Sequence, residues 1–348
     1  MATQRGHHAT GVDLDPLAIL MTKVATSPLD ARRCEQVREC VVNEASADRK
    51  TRLPWKDEET KSFAKYWFAD RQRLQLSRLS RAINALPEGP NRDIARIALS
   101  RIIVTKSPKA SLAADTSHSR PHRVITESNF DVITGYSYAF SSLTKLLQKR
   151  SISGAAIARL DDCRTLKSIA SASFDMAVTS PPYLNAIDYM RGHKMALIWL
   201  EYTISELRSI RSECIGAERS LDGPAEDRAA ELVATIEREA ADPSTLPVAV
   251  LTRYAHDLLH FSQQMQRVLK PEARLILVVG NSTLRGNFIR NELLVQQALE
   301  HNGFTVERRI QRTLPSSRRY LPITTTEGES QITRRIRTET VIHLNRAR

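Results

Sequence analysis

Phe174-Asp175-Met176-Ala177-Val178-Thr179-Ser180-Pro181-Pro182-Tyr183 is the stretch on which the fold of this sequence turns. Its first half is a short apolar run broken by one acid, the pattern of a strand in a parallel sheet, where both faces are covered and polar alternation is lost. Its second half stops that strand. Two consecutive prolines fix φ and donate no N–H, so neither a ladder nor a helix continues through them. The strand therefore runs into a rigid turn that offers hydroxyls, carbonyls and then an aromatic ring. Ligands in open α/β sheets bind beyond the carboxyl ends of the strands, which makes Thr179, Ser180, Pro181, Pro182 and Tyr183 candidate site residues.

On the N-terminal side, Ala156 to Leu160 is a second apolar run, closed by the polar turn Leu160-Asp161-Asp162-Cys163-Arg164. Ala9 to Asp13 reads as a further short strand that ends on acidic residues and enters a helix from Leu17 to about Val24. Asp15 before Pro16 has the makings of a helix N-cap. Asp13 has no such structural role and is a candidate binding residue. On the C-terminal side, a helix from Thr252 to Leu269 leads through Lys270-Pro271 into an apolar strand, Arg274 to Gly280. A helix, Glu292 to His301, and two strands, Thr305 to Gln311 and Glu339 to Leu344, complete the pattern. Two strands joined by a long polar loop predict an antiparallel hairpin at one sheet edge. The expected fold class is α/β, a Rossmann-like sheet interrupted by large helical insertions.

Composition narrows the function classes. The 348 residues carry 51 Lys+Arg against 39 Asp+Glu, a formal net charge of +12 that favours a polyanionic partner. No stretch approaches the run of about 18 apolar residues that a membrane-spanning helix needs, so no membrane association is expected. None of the four cysteines, at 34, 40, 163 and 214, forms a C-x-x-C pair, and no signal segment opens the chain. A reduced, cytoplasmic protein without a metal site is the expectation. The charged helical stretch Ser27 to Arg150 holds Arg71, Arg73, Arg78, Arg81, Lys106, Lys109, Arg120 and Arg123 as candidate phosphate or base contacts, or simply as a solvated helical face. Tyr66-Trp67-Phe68 reads as core. Asp188, Arg191 and His193 follow the proline turn closely enough to line a cleft, or to be an exposed helix start.

The Phe174–Tyr183 segment resembles the amino-group DNA methyltransferases, whose catalytic motif is written [DNS]-P-P-[YFW]. The resemblance implies a class I methyltransferase sheet, S-adenosyl-L-methionine as cofactor, and double-stranded DNA with a flipped target base as partner. Serine in first position after Thr179 is typical of the cytosine-N4 members, whereas adenine-N6 enzymes more often carry Asp. An exocyclic amine is a poor nucleophile because its lone pair is conjugated with the ring. Acceptors that hold its hydrogens free that lone pair for attack on a methyl sulfonium. The implied roles place the Ser180 hydroxyl and the Pro181 carbonyl on the amine and Tyr183 on the face of the extruded base. Asp13 falls on the cofactor ribose, Asp162 on its adenine, and Thr179 on the cofactor side of the turn. Adenine-N6 methylation, guanine-N2 methylation of RNA, and a non-catalytic nucleic-acid-binding remnant stay open as alternatives.

On this reading residues 1–26 form a second-strand βα unit and 27–150 a basic helical insertion for target recognition. Residues 151–191 form the catalytic core, 192–250 a further helical insertion, and 251–348 the C-terminal part of the core. The sequence departs from the pattern at one point. The family's first strand ends in a glycine-rich turn, usually G-x-G, yet no two of the 12 glycines here are separated by one residue and ten residues precede Gly11. The expectation is a truncated or mis-started chain, or half of a split enzyme whose missing N-terminal half is a partner. A restriction endonuclease is the other expected companion.

Overall fold

The computed structural model describes residues 1–115, 121–184, 188–217, 227–315 and 338–347. It divides into two units, Met1–Leu160 with Asp188–Arg211, and Asp161–Ile187 with Ser212–Arg348.

The first unit begins with β1 (Ala9–Asp13) and α1 (Pro16–Thr26). The break between them is chemical: the Asp15 carboxylate accepts from the Leu17 N–H at 2.8 Å, and Pro16 takes the first helical position, where no N–H is needed. Then come α2 (Ala31–Ala47), α3 (Glu58–Trp67), α4 (Asp70–Asn84) and α5 (Pro90–Ser100). A two-residue pair, β2 (Ala113–Ala114) with β3 (His122–Arg123), precedes α6 (Val132–Gln148) and β4 (Ala156–Leu160). The helices α7 (Met190–Leu197) and α8 (Ile204–Ser212) close the unit. β1 and β4 pair in parallel, Ala9 opposite Ala156 through Asp13 opposite Leu160.

The helices pack around Trp199, which is fully buried. Trp55 and Phe68 meet it edge-on, with ring centroids 4.6 and 5.3 Å away, a geometry that aromatic quadrupoles favour. Trp55 Nε1 donates to the Ile198 carbonyl and Ser80 Oγ to the Trp199 carbonyl, each at 2.7 Å. Phe68 is therefore core as expected, but Tyr66 is exposed and Trp67 only partly buried.

In the second unit the strands run in the order β5 (Phe174–Thr179), β6 (Leu269–Gly280), β10 (Thr338–Arg346), β9 (Phe304–Thr313). β5 is parallel to β6, and β10 is antiparallel to both β6 and β9. The α/β class and the antiparallel pair at the sheet edge are as the sequence implies. α9 (Asp227–Glu239) and α10 (Val248–Val268) precede β6; a small hairpin, β7 (Ser282–Leu284) with β8 (Asn287–Ile289), and α11 (Asn291–His301) follow it. The turn expected at Lys270-Pro271 is instead absorbed into β6. The register jumps from Phe174↔Leu269 to Met176↔Arg274, because Pro271 lacks a donor and Glu272 sits at φ +62°. No described helix is long and apolar enough to cross a membrane.

Among the described residues β5 has a partner on one side only, although it belongs to a parallel pair and its side chains are largely apolar. Met176 and Val178 are 50% and 67% exposed. Exposed apolar side chains on a strand with one ladder side unpaired among the described residues favour intermolecular association. Val178→Lys is expected to leave stability within about 0.5 kcal/mol and to reduce concentration-dependent self-association in light scattering. Unchanged scattering would remove this edge as its cause.

Candidate active site

The proline turn emerges at the carboxyl end of β5, and groups distant in sequence hold it. Ser180 Oγ donates to the Val278 carbonyl of β6 at 2.8 Å, which commits its proton and makes the Tyr183 hydroxyl the donor between the two side chains, leaving Oγ one further acceptor site. The Tyr183 hydroxyl lies 3.2 Å from the same oxygen. The Tyr183 ring packs against Gly280 at the end of β6: a Cβ at Gly280 would stand 2.8 Å from Cε2 and 3.3 Å from Cδ2 and Cζ. Gly280 is thus a seat for the ring, and only a residue without a side chain allows the approach.

Two buried polar side chains finish the turn. Tyr254 of α10 donates its hydroxyl to the Pro182 carbonyl at 3.1 Å, and its phenol is pushed above the ordinary tyrosine range by burial. Asn291, at the start of α11, accepts from the Leu184 N–H at 3.3 Å and donates to the Gly280 carbonyl at 3.1 Å and Ser282 Oγ at 3.0 Å. The Pro182 carbonyl is therefore occupied. Among the described residues the Pro181 carbonyl receives no hydrogen bond, which leaves it and Ser180 Oγ as the acceptors of a preorganised turn.

Asp162 is differently placed. Arg164 Nε reaches its two oxygens at 3.1 and 3.0 Å, and Nη2 lies 2.7 Å from Oδ2. The same guanidinium binds Asp257 Oδ1 at 2.8 Å and also donates to the Glu213 carbonyl. Burial alone lowers the pKa of Arg164, but the hydrogen bonds to Asp162 and Asp257 outweigh it and hold the guanidinium above the ordinary arginine range. The Asp162 carboxylate is committed to this network.

In the first unit, Asp13 ends β1 as an exposed residue. Desolvation, followed by the charge of Asp15, raises its pKa even though backbone N–H groups oppose the shift. Oδ1 accepts from the Asp15 N–H at 2.9 Å, and the Leu14 N–H also acts on this carboxyl. A carboxylate at a strand end has lone pairs beyond these with which to accept from a ligand hydroxyl. His193 Nδ1 contacts the Asp15 carboxylate, while Asp188 binds Arg191 Nε at 3.2 Å and Arg211 Nε at 2.7 Å. All three of Asp188, Arg191 and His193 thus have structural partners.

The basic candidates also separate. Arg71, Arg73 and Arg81 are ion-paired to Asp131, Asp70 and Asp48 at 3.1, 2.6 and 2.7 Å. Arg123 lies over the Tyr66 ring, 5.1 Å from its centroid. Arg78 is partly buried, and Arg120 lies outside the described residues. Lys106 and Lys109 are exposed and unpaired among the described residues. Sequence reasoning missed Gly280, Tyr254 and Asn291. Of these only Gly280, a glycine closing an apolar strand, carried a visible signal.

No family model and no curated protein matches the chain. Among solved structures, it is similar to a putative DNA modification methylase from Thermus thermophilus complexed with S-adenosyl-L-methionine, at 18% identity, over 54% of this chain and 51% of that one, with a TM-score of 0.28. It is also similar to a SAM-dependent methyltransferase from Methanosarcina mazei, at 13% identity, over 59% of this chain and 76% of that one, with a TM-score of 0.26. The match spans about half the length of the Thermus protein. Overlaps this loose, at identities this low, assign neither family nor activity.

Proposed function

We propose that this protein transfers a methyl group from S-adenosyl-L-methionine to an exocyclic amine of a flipped base in double-stranded DNA, with cytosine N4 as the target. The observation that supports this reading is the Thr179–Tyr183 turn: among the described residues the Pro181 carbonyl receives no hydrogen bond and Ser180 Oγ keeps one acceptor site, while Val278, Tyr254, Asn291 and Gly280 hold the neighbouring groups. Bound S-adenosyl-L-methionine supplies an electrophilic methyl on a sulfonium. Asp13 would accept from a ribose hydroxyl of that cofactor, the role the motif resemblance implies for it, and Thr179 is assigned to the cofactor on the same ground. Ser180 Oγ and the Pro181 carbonyl would accept the two amine hydrogens and so free the nitrogen lone pair for the methyl that the cofactor would supply, with the surplus amine proton passing to water. Tyr183 would stack on the extruded base. The 27–150 insertion serves target recognition, with 151–191 and 251–348 as the methyltransferase core.

A second reading, a nucleic-acid-binding protein without transfer activity, is favoured by one observation: Asp162, the adenine contact under the first reading, is filled by Arg164.

Two measurements separate them. Calorimetric titration with S-adenosyl-L-methionine is expected to detect binding, weakened about tenfold by Asp13→Asn, the scale of one charged hydrogen bond. Mass spectrometry of nucleosides from DNA incubated with protein and cofactor is expected to detect N4-methylcytosine. N6-methyladenine alone would overturn the base assignment, and retained DNA binding with neither cofactor binding nor transfer would establish the second reading.

A further inference from the structure

The helical unit carries a surface cavity of about 130 Å³ that no part of the methyl-transfer reading uses. It lies between Arg101, just past α5, Lys109 in the following loop, and the face of α6 that presents Gly135, Tyr138 and Ser142, with Phe130 and Ile102 as apolar floor. The floor is tight: a Cβ at Gly135 would meet Phe130 Cζ at 2.1 Å, so the glycine lets that ring close against the helix.

Arg101 and Lys109 are exposed and, among the described residues, have no acidic partner. That sets them apart from Arg71, Arg73 and Arg81 of the same body, each neutralised by an aspartate. Tyr138 is 77% exposed, an unusual position for a large aromatic ring in a packed helical body. Two unpaired cations at the rim, a projecting aromatic and an apolar floor match a sugar-phosphate unit. The cations neutralise a phosphodiester and the ring covers the adjoining sugar. The +12 net charge of the chain is complementary to such a partner.

We infer that this cavity seats a backbone phosphodiester of the substrate double-stranded DNA, with Arg101 and Lys109 on the phosphate and Tyr138 against its sugar. The inference rests on the DNA-methyltransferase reading and adds to it a contact surface that fixes register on the duplex without reading its sequence.

The test is fluorescence anisotropy of the full chain with a labelled duplex over a range of salt concentrations. The double variant Arg101→Ala/Lys109→Ala is expected to bind about tenfold more weakly and to lower the slope of log affinity against log salt by about 0.9, the share of one neutralised phosphate. Tyr138→Ala is expected to weaken binding about threefold with the slope unchanged, because it removes no charge. Circular dichroism melts matching the wild type keep these effects separate from misfolding. If the wild type binds DNA and the double variant matches it in affinity and slope, the cavity is not the contact and the proposed reaction stands. If the wild type binds no duplex, the DNA reading fails and this inference fails with it.

Discussion

Asp257→Ala is expected to destabilise the second unit by about 3–5 kcal/mol, the cost of breaking a buried pair from one side. Arg164 and Asp257 have side chains only 2% and 1% exposed, and Arg164 Nη1 lies 2.8 Å from Asp257 Oδ1. The other Asp257 oxygen accepts from the Gly216 N–H at 2.8 Å, so one substitution takes a partner from both Arg164 Nη1 and a backbone donor. Asp162 still balances part of the arginine charge, which places the loss below that of an isolated buried ion. Asp257→Asn keeps an acceptor for Arg164 or Gly216 and removes only the charge, so its loss is expected to fall between wild type and alanine. Hydrogen exchange of α10 amides under native conditions reads the change where it arises. An alanine variant with α10 protection within about 1 kcal/mol of wild type would show that the network does not hold this unit together.

Under the proposed reaction, Gly280→Ala is expected to slow methyl transfer about a hundredfold while cofactor affinity stays within about twofold. The added Cβ would stand 2.8 Å from the Tyr183 ring, closer than real Cβ contacts allow, and the ring has to move off the end of β6. Its hydroxyl lies 3.2 Å from Ser180 Oγ, so the displacement reaches the acceptor as well as the stacking face. A misplacement of about 1 Å at a reacting centre can cost two orders of magnitude in rate. Tyr183→Phe serves as the control: it removes the hydroxyl, keeps the ring on Gly280, and is expected to lose far less. Methyl incorporation into DNA measures both variants. A Gly280→Ala protein at wild-type rate would remove the ring's seat from the mechanism.

What was legible in the sequence was local and covalent in origin. The strand ending on Thr179 and the turn after it follow from an apolar run meeting two φ-locked residues. The start of α1 follows from Asp15 before Pro16, and the β9–β10 pair from two strands around a long polar loop. Each depends on neighbours a few residues away, where dihedral restriction and hydrogen-bonding chemistry act whatever the rest of the chain does.

The tertiary structure decided the partners. Ser180 finds its acceptor 98 residues along the chain, the Pro182 carbonyl its donor 72 residues away, and Arg164 its second carboxylate 93 residues away. None of these separations has a period or motif to mark it. The same holds for the cations: Arg71 and Lys109 look alike in a list of residues, yet one meets Asp131 from α6's cap and the other faces a cavity. The sequence by itself determined which chemistry each segment can offer, because that depends on residue type and backbone freedom. Only the packing of distant elements determined which of those groups stay available to a ligand, because a polar group buried beside a complementary one is satisfied there instead.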